Sequence, residues 1–301
     1  DTIFSCRILV VVVAVPVLLI FFNAFWVDGE FNLGDVIKIL SGPETYQALV
    51  NSLIIATGTT IGSTIIGTFF AWLVTRTDLP YKSFMKSMFL VPFMLPSFIG
   101  ALAWKMLLSP NAGFINTFFI KNFGFEGPIF NIYSYIGIML VEVMYLFPFV
   151  FIQVCGALER MDPTLEESAR ISGAGLLTIT RKITIPLVMP SILSGALLIM
   201  LYSMAHFGTV AVLGIENGIF NIPTLIYHKI HQSGGSFDSI RTGTVLATVL
   251  VASAALIIWL QGKILGKGNY QIIGGKSFRP MELKLRGLRI PLLVLCLAYI
   301  G

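Results

Sequence analysis

Long apolar runs alternate with short polar ones along nearly the whole chain. Six runs, at 8–27, 48–74, 84–107, 132–157, 187–213 and 242–265, reach the length of about 20 residues that an α-helix needs to cross a bilayer. They predict six membrane-spanning helices. A seventh run opens at Pro291 and reaches the last residue, Gly301. As a helix it rises less than about 20 Å, short of a crossing. The first residue is Asp1 and not Met. Together these features predict a piece of a longer polypeptide, with a re-entrant or surface tail as the alternative for 291–301. The first run is too long for the apolar stretch of a signal peptide and lacks a small-residue cleavage site, so it reads as a true span.

Composition points the same way. Of the 301 residues, 56% are hydrophobic and 12% charged, and the mean hydropathy is +0.87. A soluble domain carries about 25% charged residues, so a soluble globule is excluded. Disorder is excluded as well, because the chain is too apolar. The formal net charge of +5 invites a nucleic-acid reading, but the basic residues lie in short loops between apolar runs. Fifteen of the twenty Lys and Arg fall on the side that carries the start of the chain. The five on the other side are Lys38, Lys105, Lys121, Lys229 and Arg241. This is the positive-inside pattern. It predicts a cytoplasmic N-terminus, cytoplasmic loops at 157–186 and 263–289, membrane lipid as the surroundings and no nucleic-acid partner. The outer loop with Asp28, Glu30, Asp35 and Glu44 agrees. Cys6, Cys155 and Cys296 are odd in number, far apart and in or beside apolar runs, so they read as packing residues.

The loop between the fourth and fifth spans is long and patterned. Asp162 before Pro163 predicts a helix start, an N-cap acceptor followed by Pro at the first helical position. Glu166 and Glu167 suit the positive end of the helix dipole. Leu165, Ala169 and Ser172 are spaced to form one face of small residues, and Gly173 suits the helix end. A short amphipathic surface helix over 162–173 is expected.

Glu167, Ser168 and Ala169, then Gly173 after three residues, then Ile183, Thr184, Ile185 and Pro186 after nine more, match the signature E-A-A-x3-G-x9-I-x-L-P. Ser168 and Ile185 are mild departures. In this the chain resembles the permease subunits of binding-protein-dependent ABC importers, the MetI-like or type I importer fold. The resemblance continues through Asn51, Ser52 and Ala56, through Arg76 to Pro80, through Pro92 and Pro96, and through Ser109, Gly113 and Asn116. It resumes at Phe207 to Gly214 and at Ile222, Pro223 and Thr224. The later stretches look like the ferric-iron, polyamine and phosphonate branch. The tail from Gly274 to Pro280 looks like the linker of fused iron-type permeases, which would make this chain the first half.

The resemblance implies an all-α integral membrane protein: a six-helix type I importer transmembrane domain plus the start of a seventh helix. It divides the chain into a first helix and outer loop (1–46), the permease domain (47–265) and a cytoplasmic linker with a further helix start (266–301). It implies a bacterial inner-membrane permease, not an enzyme. Its partners would be two ABC ATPase subunits that use the ATP, an extracytoplasmic substrate-binding protein and a second permease half fused in the same chain. No cofactor of its own is implied. The 159–186 loop would couple to the ATPase through Glu166, Glu167, Ala169, Gly173, Ile183 and Pro186. Ferric ion is the first substrate expectation, with polyamine or aminoethylphosphonate as alternatives.

Other features are weighed against this reading. Gly274 to Ser277 resembles the end of a phosphate-binding loop, but Tyr270 stands where its first Gly belongs. Glu142 in the fourth span is costly in lipid, roughly 2.5–3.5 kcal/mol, so it faces protein or water. Glu142, His206, Phe207 and Gly208 are the pathway candidates, with a helix–helix hydrogen bond the plainer role for Glu142 and His206. A proton-coupled secondary transporter, or an intramembrane acid–base enzyme, would need those two to work together. Glu142 reads as near midplane and His206 as farther out, which sets them apart. His228 and His231 share a helical face but lack further ligands, a poor metal site. Met200 and Met204 read as packing, and Gly58 with Gly62 as close helix packing.

Overall fold

The computed structural model describes residues 2–27, 30–232, 234–266 and 285–300. The expected linker and the phosphate-loop lookalike at Gly274 to Ser277 fall mostly or wholly outside them. The architecture is helical: α1 Thr2–Phe25, α2 Leu33–Leu40, α3 Pro43–Arg76, α4 Lys82–Met88, α5 Val91–Met94, α6 Ser97–Leu108, α7 Phe114–Phe123, α8 Tyr135–Arg160, α9 Thr164–Ile171, α10 Leu176–Ile179, α11 Ile185–Met204, α12 Gly208–Leu213, α13 Ile222–Gln232, α14 Phe237–Gly266 and α15 Arg289–Ile300. A two-residue β-ribbon, β1 (Trp26–Val27) with β2 (Glu30–Phe31), sits between α1 and α2. Among the described residues, four helical runs are long and apolar enough to cross a membrane, and a bent pair makes a fifth.

The expected third span is that bent pair. Lys82–Met94 and Ser97–Leu108 meet at 94°. Pro96 causes the break: it forces Leu95 into extended backbone, with ψ 142°, and offers no N–H to continue the helix. The fifth span is displaced and interrupted. Its helical run covers Leu176–Met204, so it begins well inside the expected loop. It stops before His206, whose carbonyl accepts from Asn221 Nδ2 at 2.7 Å, outside any helix ladder.

The centre is α3 laid along α8, with α11 against both. Small residues set the spacing. A Cβ on Gly58 would lie 2.4 Å from Met139 Sδ, one on Gly62 2.7 Å from Val143 Cγ2, and one on Gly67 2.8 Å from the Phe147 carbonyl. The close approach read from Gly58 and Gly62 is therefore present and extends one step further. Below it, Phe70, Phe89, Phe147 and Phe151 form an aromatic core, with Phe70 and Phe89 stacked at 4.5 Å. Met204 packs with Ala56 and Ile257. Cys155 and Cys296 are free and buried. Large apolar side chains such as Ile61, Ile65, Ile152 and Trp259 point outward, as a lipid-facing surface requires. Tyr299 of α15 packs on Phe70 and Phe147.

Salt bridges mark the two ends of the bundle. Lys86 with Glu159 and Arg76 with Glu166 lie at one end, called the basic end below; Asp35 with Arg241, Glu44 with Lys229 and Lys105 with Glu216 lie at the other.

Candidate functional site

At the basic end, α9 stands on the surface between α8 and α11. Asp162 Oδ1 accepts from the Thr164 N–H at 2.9 Å, as an N-cap acceptor does, with the helix starting one residue later than expected. The other end closes in a Schellman turn: Gly173 N–H donates to Arg170 O and Ala174 N–H to Ala169 O. Gly173 takes φ +84°, which a Cβ disfavours.

Glu166 and Glu167 part company. Glu167 is exposed. Glu166, expected beside it on the surface, is buried; Thr184 Oγ1 donates to its Oε1 at 2.7 Å and Arg76 Nε lies 3.5 Å from the same oxygen. Ala169 is half-buried, while Leu165, Ile171 and Leu177 are exposed, Ile171 at 88%. Ile183 and Pro186 also depart from the expected loop. Ile183 lies in a π-helical turn, Thr180–Thr184, and Pro186 in the first turn of α11. Pro186 has no N–H to give the Lys182 carbonyl, and its ring would clash there. The backbone widens instead, and Ile185 N–H donates to Thr180 O.

Glu142 is wholly buried in α8 and ties four elements together. Thr59 of α3 donates to its Oε2 at 3.1 Å and Ser203 of α11 to the same oxygen at 2.5 Å. His206 Nδ1 lies 3.1 Å from Oε1, and His206 Nε2 lies 2.8 Å from Ser97 Oγ at the start of α6. Glu142 and His206 are therefore neighbours, contrary to the separation in depth read from a continuous helix over 187–213. The break at 205–207 brings the ring back toward α8. Gly208 makes this possible, since a Cβ there would sit 2.6 Å from Ser97 Oγ. His206 and Ser97 border a cavity of about 260 Å³ walled by Tyr145, Tyr202, Phe93 and Pro96. Phe207 packs edge-on against Tyr227 at 5.3 Å and is not among the residues that wall it.

The opposite end shows residues whose work the sequence did not disclose. Asn116 Nδ2 donates to the carbonyls of Leu108, Ser109 and Phe130, and its Oδ1 accepts from Ile129 and Phe130 N–H. One side chain thus holds the loop over 108–130. Asn51 donates to Phe220 O and accepts from Tyr135, while Ser52 accepts from Ile222 N–H, fastening α3 to the start of α13. A polar side chain inside an apolar run was the available signal. His228 packs on Phe220 and His231 on Tyr227.

Comparison with known sequences fits this architecture. The profile of the family described as "Binding-protein-dependent transport system inner membrane component" matches residues 63–267. The chain belongs to this family. Its relatives include the ferric transport system permease protein FbpB of Actinobacillus pleuropneumoniae, 29% identical over 88% of this chain and 37% of the relative. The molybdenum transport system permease protein ModB of Escherichia coli K12 is 31% identical over 74% of this chain and 95% of its own. The spermidine/putrescine permease protein PotB of the same strain is 26% identical over 81% of this chain and 88% of its own. The chain spans about two fifths of the length of its ferric-type relatives, 41% for one from Haemophilus influenzae and 37% for FbpB above. In fold it matches a subunit in the crystal structure of a bacterial ABC transporter involved in the import of alginate. The TM-score is 0.69 at 14% identity, over 89% of this chain and 94% of that one. The family is one of transport permeases of the inner membrane, and the fold is that of ABC importer transmembrane subunits.

Proposed function

We propose that this chain is a membrane-embedded permease unit of an ATP-driven, binding-protein-dependent importer, and that α9 is where ATPase subunits drive it. The observation that carries the reading is the surface helix itself. It is short and closed by a Gly173 turn, and it presents Glu167, Leu165 and Ile171 at the basic end. In this reading the basic end is cytoplasmic, by the distribution of Lys and Arg. A substrate-binding protein delivers cargo at the opposite end, and a second permease half completes the pathway. The length of the ferric-type relatives supports a second half in the same polypeptide. Ferric ion is the proposed cargo, supported by similarity to those relatives over 88% of this chain. Molybdate is the rival, favoured by the 31% identity to the molybdenum permease. The cavity bordered by His206 is the proposed start of the pathway; Glu142, Phe207 and Gly208 are not among the residues that wall it, and Glu142 reaches it only through His206.

The test is reconstitution of the full-length subunit with its ATPase and binding protein in vesicles, with uptake of radioactive ferric ion and molybdate measured separately. Uptake is expected to require ATP. Gly173→Asp and Glu167→Lys are expected to leave the protein inserted. Both are expected to lower ATPase co-purification at least tenfold, about 1.4 kcal/mol of docking. A left-handed Asp at 173 is strained, and Lys at 167 opposes the helix dipole. Uptake that persists without the ATPase and collapses with the proton gradient would refute the reading.

A further inference from the structure

The α9 helix has eight residues, too few to be stable alone. Something must hold it in place, and apolar packing is not what does so: Glu166 is its one buried side chain. The partners of that carboxylate come from two other elements. Arg76 is the last residue of α3 and is 2% exposed; Thr184 ends the π turn that leads into α11. Glu166 Oε1 receives the Thr184 hydroxyl and faces Arg76 Nε. Among the described residues Arg76 makes no hydrogen bond through Nε, Nη1 or Nη2, so Glu166 is the countercharge that its burial requires. A small, partly open pocket of about 30 Å³ lies between these groups, lined also by Trp72, Arg170, Leu176, Ile179 and Thr180. A hydrophobic contact tolerates sliding. A buried charge pair with a directional hydrogen bond resists it, because any shift strands a buried charge.

We propose that Arg76, Glu166 and Thr184 form a clamp that makes α9 move as one body with the end of α3 and the π turn feeding α11. The three are positioning residues, and the proposal rests on the reading of α9 as the ATPase-driven element. A push on α9 then reaches two core helices at once, instead of being absorbed by a surface loop.

Spin labels at Thr164 and Lys182 in the full transporter, bound to its ATPase in lipid nanodiscs, report on the clamp. Labels at Thr164 and Ile136 report on whether ATP moves α9 at all. In the otherwise unaltered protein the first distance is expected to stay fixed with and without ATP, while the second changes. In Glu166→Gln the first distance is expected to shift or broaden on ATP binding by about 2 Å or more, the scale of helix shifts at interfaces. The charge swap Arg76→Glu with Glu166→Arg is expected to narrow it again, which a merely structural role would not produce. Thr184→Val keeps the ion pair and removes one bond, so it serves if Glu166→Gln does not insert; an intermediate broadening is expected. A first distance unchanged by Glu166→Gln, or by Thr184→Val in its place, overturns the clamp. A Thr164–Ile136 distance insensitive to ATP sinks the coupling reading and the clamp's role with it. An ATP-sensitive one with a rigid Glu166→Gln sinks the clamp alone.

Discussion

Glu142→Ala is the most informative single perturbation of the core. The carboxylate accepts from Thr59 of α3 and Ser203 of α11, and it pairs with His206 Nδ1 in the break that follows α11, three contacts in all. Two estimates of its worth differ. Interhelical hydrogen bonds in membranes average about 0.6 kcal/mol, so three give about 2 kcal/mol. Breaking a buried charge-assisted pair costs about 3–5 kcal/mol. The geometry favours the lower figure. Thr59 and Ser203 are helical hydroxyls that can turn back to their own carbonyls, and that recovers part of the loss. His206 keeps Ser97. The expected destabilisation is therefore about 2–3 kcal/mol. For a chain of this size that lowers the melting temperature by roughly 3–5 °C. Glu142→Gln keeps an acceptor for the hydroxyls, and its amide can donate to His206 Nδ1 if the ring takes the other tautomer. It is expected to cost less than about 1 kcal/mol. Thermal unfolding in detergent, followed by thiol-reactive dye at Cys155 and Cys296, measures both. If Glu142→Ala melts within about 1 °C of the unaltered protein, or Gln proves as damaging as Ala, the cluster is not a tie between helices.

Two helical glycines are expected to respond with opposite signs. Gly67→Ala places a Cβ 2.8 Å from the Phe147 carbonyl and 3.1 Å from Phe151 N, backbone that cannot yield, and is expected to cost about 1–3 kcal/mol. Gly156→Ala meets nothing within 4 Å in α8 and is expected to stabilise by up to about 1 kcal/mol; melting curves of the pair, compared directly, check the contrast, and no loss of stability in Gly67→Ala would mean that α3 and α8 are not in close contact at Gly67. For orientation, a cysteine at exposed Leu177 in a cysteine-free chain is expected to resist a membrane-impermeant thiol reagent in intact cells, whereas one at exposed Phe114 reacts; the reverse labelling inverts the assignment.

The apolar character of the runs and the surface helix were legible because both rest on patterns local in sequence. The count of six spans was not reproduced: among the described residues four helices and one bent pair reach crossing length, and Ala14–Phe25 of the first run is shorter. Apolar length marks a crossing, and Asp162, Pro163 and Gly173 mark the helix ends. Three further things were not legible. The bend at Pro96 was signalled by the proline, yet an unbroken apolar run over 84–107 masks a right-angle turn that leaves composition unchanged. Burial of Glu166 depends on Arg76, ninety residues away in sequence, and no periodicity within α9 reveals it. The Glu142–His206 contact is hidden from the sequence because depth along an ideal helix separates the two residues, and a break of three residues invalidates that spacing.

Those last two contacts share a geometry. Twenty residues of α11, about 30 Å, separate a non-α turn at one end from a break at the other. Each irregular end is held by a buried carboxylate from a different helix: Glu166 through Thr184, Glu142 through Ser203 and His206. Regular helix transmits displacement along its axis, while its irregular ends are where geometry can change at small cost. A carboxylate at each end fixes which neighbour feels the change. At the basic end that neighbour is α9, on the surface; at the other it is α8 with the wall of the cavity around Tyr202 and His206. A contiguous path of packed groups does not by itself establish coupling. Under the proposed role of α9, the π turn and the break are the two places where α11 departs from regular helix, since between them it is packed against α3 and α8.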